Sequence, residues 1–326
     1  MGIIHLAPAG RSPGAVTAPL AYLKRLYDEQ SKTGQRLPES VLPRRLGYPV
    51  EAIVLFVSDE VRRGCKGATA YDDTIYNQYG SRSPISGRQG ICSDGVVDII
   101  SDFAGRELSD GKLALYRRVV DVNDFNACFR SIAETALALG RPDDLGKTMW
   151  ANLTGGTNVL NAALLEVTFL SGLIHSLYYV FVSEDERRFL QPLSTDYRRY
   201  LSDHWRNVPV VKTTFDEHYR RLLLMLAESQ QEWWSVDALF SQMCNQFPNL
   251  FGTMTPELFQ KQRLRKLSYE VELDVDAGRV KLTEAGYETV ARIEEPLFRT
   301  LVQRGEQPQI DIQALRDALE HDRVRD

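Results

Sequence analysis

The sequence predicts an α/β protein: a mostly parallel sheet flanked by helices, followed by a smaller α+β domain. Three observations predict it. Strand-type and helix-type apolar patterns alternate through the first two-thirds of the chain, as they do when parallel strands are joined by crossover helices. That alternation stops near Phe215, and beyond it three helical patterns lead into a hairpin. The length of 326 residues also suits two domains at roughly 100–200 residues each.

Taken in order, residues 3–7 form a short apolar run ending in Pro8-Ala9-Gly10, a strand followed by a turn. Residues 15–30 carry Val16, Leu20, Leu23, Leu26 and Tyr27 at helical spacing. The run A-I-V-L-F-V within 51–58 suits a strand buried on both faces. A strand is expected at 113–122, and a helix at 124–140 stopped by glycine and Pro142. A short strand at 148–153, an apolar helix at 157–172 and a strand at 176–182 follow, with a last strand at 209–212. In the final third, helices are expected at 215–228, 236–245 and 255–267, the last opening on the capping signal T-P-E. Apolar residues then alternate on either side of Asp276-Ala277-Gly278, the signature of a hairpin over 270–283. A closing helix at 284–302 completes the pattern of a winged helix-turn-helix. The expected division is therefore a first domain at 1–182, a linker with the last strand at 183–214, and a second domain at 215–326.

One segment fits neither texture. Residues 59–95 are rich in Gly, Ser, Arg and Asp and interrupt the first domain after its second strand. Long loops inside compact domains are often functional lids. This one interleaves Arg62, Arg63, Lys66, Arg82 and Arg88 with Tyr71, Tyr76 and Tyr79. Cations and stacking rings suit a nucleotide; a solvated insertion is the plainer alternative.

Composition excludes several classes of protein. No run approaches the ~18 consecutive apolar residues of a membrane helix. The first nine residues lack a basic leader, so secretion is not expected. Cys65, Cys92, Cys128 and Cys244 lie far apart, without the close pairs of a zinc site, and a reducing cytoplasm is the expected setting. No H-E-x-x-H motif or other metal-ligand cluster occurs, so neither a metal nor a cofactor is expected. The formal charge of −5 is uneven: residues 215–326 hold 14 basic and 20 acidic side chains. An acidic C-terminal third opposes strong nonspecific binding to nucleic acid there, because affinity for phosphate backbones comes from cations.

Two strand-end loops carry the chemistry. The first, Ala9-Gly10-Arg11-Ser12-Pro13-Gly14-Ala15-Val16-Thr17, joins the first strand to the first helix. Its small residues let a backbone approach a ligand, and the amides of a helix N-terminus favour phosphate. It lacks the full G-x-G-x-x-G spacing of a dinucleotide site. The second, Asn152-Leu153-Thr154-Gly155-Gly156-Thr157-Asn158, offers amides and hydroxyls in the same strand-to-helix setting. Neither contains the G-K-[ST] of a Walker loop. Either loop alone could be no more than a tight turn; together, at the carboxyl edge of one sheet, they point to an anion site.

These loops, G-R-S-P-G-A-V-T and N-L-T-G-G-T-N, resemble the signature loops of CARF domains, the CRISPR-associated Rossmann fold. That family shows G-x-S-P-x-x-V-T and T-G-G-T-K. The resemblance spans 1–182 and implies a Rossmann-like sheet; a winged helix after it is a known arrangement of the family. It further implies a type III CRISPR accessory protein, a homodimer binding cyclic oligoadenylate, most often the four-membered ring, across the two-fold axis. Carried over, Gly10, Arg11, Ser12, Pro13, Gly14 and Thr17 would meet ribose and phosphate from one loop. Thr154, Gly155, Gly156, Thr157 and Asn158 would cradle the ring from the other, with Ser58 and Arg62 contributing from the second strand's end. Some relatives are ring nucleases that cut the ligand without metal, by in-line attack of a ribose 2′-hydroxyl on its own phosphate. Ser12 and Asn158 are the candidate catalytic residues. Asn158 departs from the family: many members have lysine there, so positive charge would have to come from Arg11, Arg62, Arg63 or Lys66.

The alternative is a ligand-gated transcription regulator, in which Lys261, Arg263, Arg265 and Lys266 on the 255–267 helix would face DNA. Asp274 and Asp276 in the wing and the acidic balance oppose it, and packing against a dimer mate is the plainer role. A third possibility is an interaction module that passes the signal to a separate effector. Trp233-Trp234 reads as core or dimer contact. The spacing Arg199…His204 and Arg316…His321 matches that of RNA-cutting HEPN domains, but with so many arginines it reads as chance.

Overall fold

The computed structural model describes residues 2–10, 13–33, 50–63, 96–108, 113–140, 147–180, 205–208, 210, 217–229, 232–302 and 310–324. The chain divides into two compact units, residues 1–212 with 311–326, and residues 213–310.

The first unit is built on a six-stranded sheet of order β3-β2-β1-β4-β5-β6. Its strands are β1 (Gly2–Ala9), β2 (Val50–Val57), β3 (Ala114–Val119), β4 (Lys147–Asn152), β5 (Ile174–Val180) and β6 (Trp205–Val208). β1 to β5 run parallel and β6 joins β5 antiparallel. The helices among them are α1 (Gly14–Thr33), α2 (Asp59–Arg63), α3 (Val96–Phe103), α4 (Phe125–Leu139) and α5 (Asn158–Ser171). Side chains on a strand alternate between faces, and the cores follow that rule. Ala7, Ala9, Ile53, Leu55 and Val57 pack with Val16 and Leu20 of α1 and with Val96, Ile100 and Phe103 of α3. β2 is fully covered from Ala52 to Val57, as its unbroken apolar run requires.

His5, also on β1, is fully buried and shares a hydrogen bond from Nε2 with the Tyr178 hydroxyl on β5. The Tyr178 ring stacks on Trp205 of β6 at 4.0 Å between centroids, and Trp205 meets Tyr22 of α1. This aromatic row ties the antiparallel edge strand to α1. The strand expected at 209–212 lies, but for Val210, outside the described residues; the edge strand that the structure describes is Trp205–Val208, anchored by buried Trp205.

The second unit holds α6 (Glu217–Glu228), β7 (Trp234–Ser235), α7 (Val236–Gln246), the short α8 (Pro248–Phe251), α9 (Pro256–Gln262), β8 (Val271–Asp274), β9 (Arg279–Leu282), α10 (Glu284–Ile293) and α11 (Pro296–Val302). Its sheet has the order β7-β9-β8, and Gly278 takes a φ of +61° in the hairpin turn. Thr255 caps α9 by accepting from the Leu258 amide. The single helix expected over 284–302 is two, because Pro296 cannot continue the ladder and opens α11 instead.

The chain then returns to the sheet. Helix α12 (Ile312–His321) packs beside α4 and β3, so the second domain does not run to Asp326 as the sequence reading has it. The cause is a set of polar contacts that no local pattern announces. Arg118 donates to Glu134 at 2.9 Å and to Asp322 at 2.8 Å, and Tyr116 donates to Glu320 at 2.8 Å. The backbone of 322–324 adds a short antiparallel bridge to β3. Arg316 donates to the Ala138 carbonyl at 3.0 Å, a structural task that accounts for one of the two Arg…His spacings; the other, Arg199…His204, lies outside the described residues. Among the described residues, no helix is long and apolar enough to cross a membrane.

Replacing Arg118 by Met is expected to lower unfolding stability by roughly 1–3 kcal/mol, since two half-covered carboxylates lose their cation. Earlier proteolysis of the C-terminal segment would accompany it; an unchanged denaturation midpoint would refute the clasp. A pH dependence follows from His5, whose imidazole burial pushes down to about 3. Between the ordinary histidine range and that value, the unfolded chain binds a proton that the folded chain does not. This contribution is therefore fully present above about pH 6.5 and declines towards pH 3 by up to about 1.4 kcal/mol per unit. Denaturation of His5→Gln, which keeps a partner for Tyr178, should show a shallower acid slope than the parent.

Candidate functional site

In open parallel sheets, ligands lie beyond the carboxyl ends of the strands where the strand order reverses. Here β2 lies on one side of β1 and β4 on the other, so the reversal falls between β1 and β4. The two loops singled out from sequence leave these two strands.

They touch. Asn152, the last residue of β4, is fully buried and reaches across the gap. Its Nδ2 donates to the Ala15 carbonyl in the first turn of α1 at 2.9 Å, and its Oδ1 accepts from the Thr154 amide at 2.8 Å. One side chain thereby joins both loops. Glycine completes the approach. A Cβ on Gly155 would lie 2.5 Å from the Pro8 carbonyl oxygen and 3.3 Å from the Cβ of Ala15. Gly156 has a φ of +80°, and a Cβ there would collide with the Pro8 ring. A Cβ on Gly10 would stand 3.6 Å from the Gly156 nitrogen, so these two backbones line one crevice.

The rest of the second loop is held from below. The Leu153 amide donates to the Tyr178 carbonyl at 2.8 Å, and the Val180 amide donates to Thr154 Oγ1 at 2.9 Å. Among the described residues, nothing accepts the Thr154 hydroxyl hydrogen. Thr157 is the N-cap of α5: its Oγ1 accepts from the Leu160 amide and donates to the Val122 carbonyl at 3.2 Å. That hydroxyl is committed to the fold. Asn158, the first residue of α5, is exposed, as is Gly156.

The first loop is described in part. Arg11 and Ser12 lie outside the described residues. Pro13 is buried, and its carbonyl accepts from the Val16 and Thr17 amides at 3.0 and 2.9 Å, starting the helix that Gly14 opens. Thr17, expected at the ligand, is fully buried, and its Oγ1 has no hydrogen-bond partner among the described residues. Its place in the first turn of α1 points it into the core rather than the crevice. Ser58 follows β2 and caps α2 by accepting from the Val61 amide at 3.2 Å. Arg62 is exposed and donates from Nε to Asp59 at 2.8 Å; this guanidinium and that of Arg63 hold the Asp59 carboxyl below its ordinary range. Of the 59–95 insertion, the lid residues beyond Arg63 (Lys66, Tyr71, Tyr76, Tyr79, Arg82 and Arg88) lie outside the described residues.

The crevice thus offers the N-termini of α1 and α5, backbone amides, and the hydroxyl of Thr154, a set suited to an anion. The β3–α4 turn beside it bears Asp121 and Asp124, whose carboxylates accept from the amides of Asn123, Asn126 and Ala127. Among the described residues, no group of His, Cys, Asp and Glu is placed to hold a metal. Asn152, quoted at the head of the second loop but given no role there, and Pro8 are the residues whose part in the site only these contacts reveal. A strand ending in asparagine immediately before L-T-G-G was the available signal.

In the second unit, Lys261, Arg265 and Lys266 are exposed on α9 and the following 3-10 turn (Leu264–Leu267). Arg263 is not on that surface in the same way. It is half-buried with its guanidinium 5.7 Å from the Phe251 ring centre.

No family model matches the chain. Over 194 residues it is 26% identical to an uncharacterized protein of Archaeoglobus fulgidus, covering 56% of this chain and 58% of that one. The chain thus spans less than two-thirds of this relative's length. Among solved structures, Enterococcus italicus Csm6 bound to cyclic hexa-2′-fluoro-hexa-dAMP aligns over 82% of this chain and 55% of its own, at 10% identity and a TM-score of 0.36. The protein VC1899 of Vibrio cholerae aligns over 92% and 66%, at 11% identity and a TM-score of 0.28.

Replacing Asn152 by Leu should cost about 1–3 kcal/mol, because the Thr154 amide and the Ala15 carbonyl both lose a buried partner. Gly156→Ala should cost at least as much through its positive φ and the Pro8 contact. Urea unfolding measures both; parent-like midpoints would mean that the loops do not meet.

Proposed function

We propose that the chain is a CARF-type receptor that binds a cyclic oligoadenylate, cyclic tetra-adenylate first among them, as a homodimer with one crevice from each protomer. The observation that carries this reading is the contact between two separate loops at the strand-order reversal, with Asn152 joined to both. A G-R-S-P-G loop and a T-G-G-T loop serve as anion-binding turns only if they share a rim, and their backbones close to van der Waals distance. Gly10, Gly14, Gly155 and Gly156 would give the ring's phosphates access to amides. Thr154 would donate its spare hydroxyl hydrogen, and Arg11 and Ser12 would complete the first loop. Thr157 would act through its backbone and as the cap of α5, and Ser58 with Arg62 would border the crevice on the β2 side.

Cleavage of the ring belongs to the same reading. A ribose 2′-oxygen bonds to the adjacent phosphorus as the 5′-oxygen leaves, and the 2′ proton is passed on to that leaving oxygen. The products are a 2′,3′-cyclic phosphate and a 5′-hydroxyl. Holding the attacking oxygen in line supplies rate without a metal, and amides at the rim stabilise charge developing on phosphorus. Ser12 would orient the reacting oxygens. Asn158 brings a hydrogen bond but no charge, so slow turnover is the expectation.

A second reading, a ligand-gated DNA-binding regulator, is favoured by one observation: Lys261, Arg265 and Lys266 stand exposed on one helix and turn of the second unit.

Calorimetry with rings of three to six adenylates tests the receptor directly; no heat with any of them would sink it. Asn158→Asp, at an exposed position, should weaken ring binding by roughly tenfold or more by placing a carboxylate against phosphate, with stability unchanged. Labelled cyclic tetra-adenylate incubated with the purified chain and chelator separates enzyme from sensor. Linear products that vanish in Ser12→Ala and increase in Asn158→Lys support cleavage, whereas an intact ring leaves a receptor alone. A salt-dependent, ligand-altered shift of promoter DNA would favour the regulator.

A further inference from the structure

The second unit contains a pocket that the adenylate reading does not use. It lies where α6, α8 and the 3-10 turn after α9 converge, and encloses ≈ 110 Å³. Its floor is apolar and aromatic: Leu222 and Phe251 are buried there, and the His218 ring stands edge-on to Phe251 at 6.0 Å. Its rim is cationic, with exposed Lys266 beside half-buried Arg263 and with Gln262 next to them. The Tyr219 hydroxyl, also on the wall, donates to Glu270 at 3.2 Å.

Arg263 is the anomaly. Elsewhere in this unit, Arg220 meets Glu217 and Glu294, Arg279 meets Asp274, and Lys281 meets Glu232 and Glu272. Arg263 has no carboxylate or carbonyl acceptor among the described residues, and its Nε is buried without a hydrogen-bond partner. Among the described residues, its guanidinium meets the face of Phe251, at 5.7 Å. Lys266 likewise has no ion-pair partner among the described residues. Exposed Lys261 and Arg265 share that state with Lys266, so half-burial sets Arg263 apart. A half-buried guanidinium without an acceptor favours any ligand that supplies one, and its planar fork matches a carboxylate in two-point contact.

We infer that this pocket is a second ligand site, built for a small monocarboxylate whose flat or branched apolar body enters between Leu222 and Phe251 while its carboxylate meets Arg263 and Lys266. Size sets the class. An engineered cavity of about 150 Å³ takes a benzene ring, and this pocket is somewhat smaller and open at the rim. A single ring or a short branched chain fits with its charged end outside; a nucleoside does not. An inorganic phosphate would satisfy the cations but leave the apolar floor empty.

The probes are benzoate, its neutral isostere benzamide, and inorganic phosphate, titrated into the full chain by calorimetry with NMR saturation transfer as a second readout. Saturable one-to-one binding of benzoate is expected, with benzamide and phosphate each weaker by about tenfold or more. Lys266→Met, at an exposed position, should weaken benzoate several-fold, and Arg263→Met should weaken it further while its stem still covers Phe251. Leu267→Trp, which fills the pocket from its wall, should abolish binding with the circular dichroism unchanged. The inference is overturned if benzoate does not bind, if benzamide or phosphate binds as well, or if Lys266→Met leaves the affinity unaltered. Cyclic adenylate binding in the first unit is expected to survive all three substitutions, so failure at either site is distinguishable from failure at the other.

Discussion

Two backbones approach each other at the centre of the sheet more closely than side chains would permit, and the crevice exists because of it. Pro8, next to last in β1, presents a rigid ring, and the loop after β4 sets two residues without a Cβ against it. Asn152 then converts proximity into a fixed geometry, since its buried amide donates to one loop and accepts from the other. An aspartate could not donate, and an aliphatic residue could do neither. Every later inference about the site, including where phosphates would lie and why Thr154 has a hydrogen to offer, inherits this arrangement.

The parallel sheet was legible because its signals are local. The A-I-V-L-F-V run has the composition of a strand covered on both sides, and it is covered on both sides. The helix at 124–140 was bounded correctly because Asp124 is a cap and Gly140 a stop, both readable one residue at a time. The loops were legible as a pair because strand alternation places them at one edge. What escaped was everything that depends on distant partners. Trp205 is an edge-strand anchor only because Tyr178 and Tyr22 offer it faces to stack on. The burial of Thr17 could not be read from G-A-V-T, since helical phase alone does not say how deeply a first turn is sunk. Arg263 belongs to the same class: in sequence it is one of four cations on a helix, and in space it covers a phenylalanine.

Among the described residues, the crevice is better supplied with dipoles than with charge. Two helix N-termini and a row of amides converge there, while Arg62 is engaged by Asp59 and the neighbouring turn carries two aspartates. Dipolar donors bind an anion tightly when they are preorganised, because no reorganisation is needed when the ligand arrives. They are less effective than a lysine at stabilising extra charge that develops only during reaction.

The last helix closes against β3 through partners some 200 positions apart, with Tyr116 meeting Glu320 and Arg118 meeting Asp322 across a separation of 204 residues. During synthesis those partners leave the ribosome only after the whole intervening unit. Until then the β3 rim presents unpaired amides and carbonyls, the kind of edge that recruits foreign strands. The edge of β3 is therefore most exposed to foreign pairing in the interval before residues 312–324 arrive.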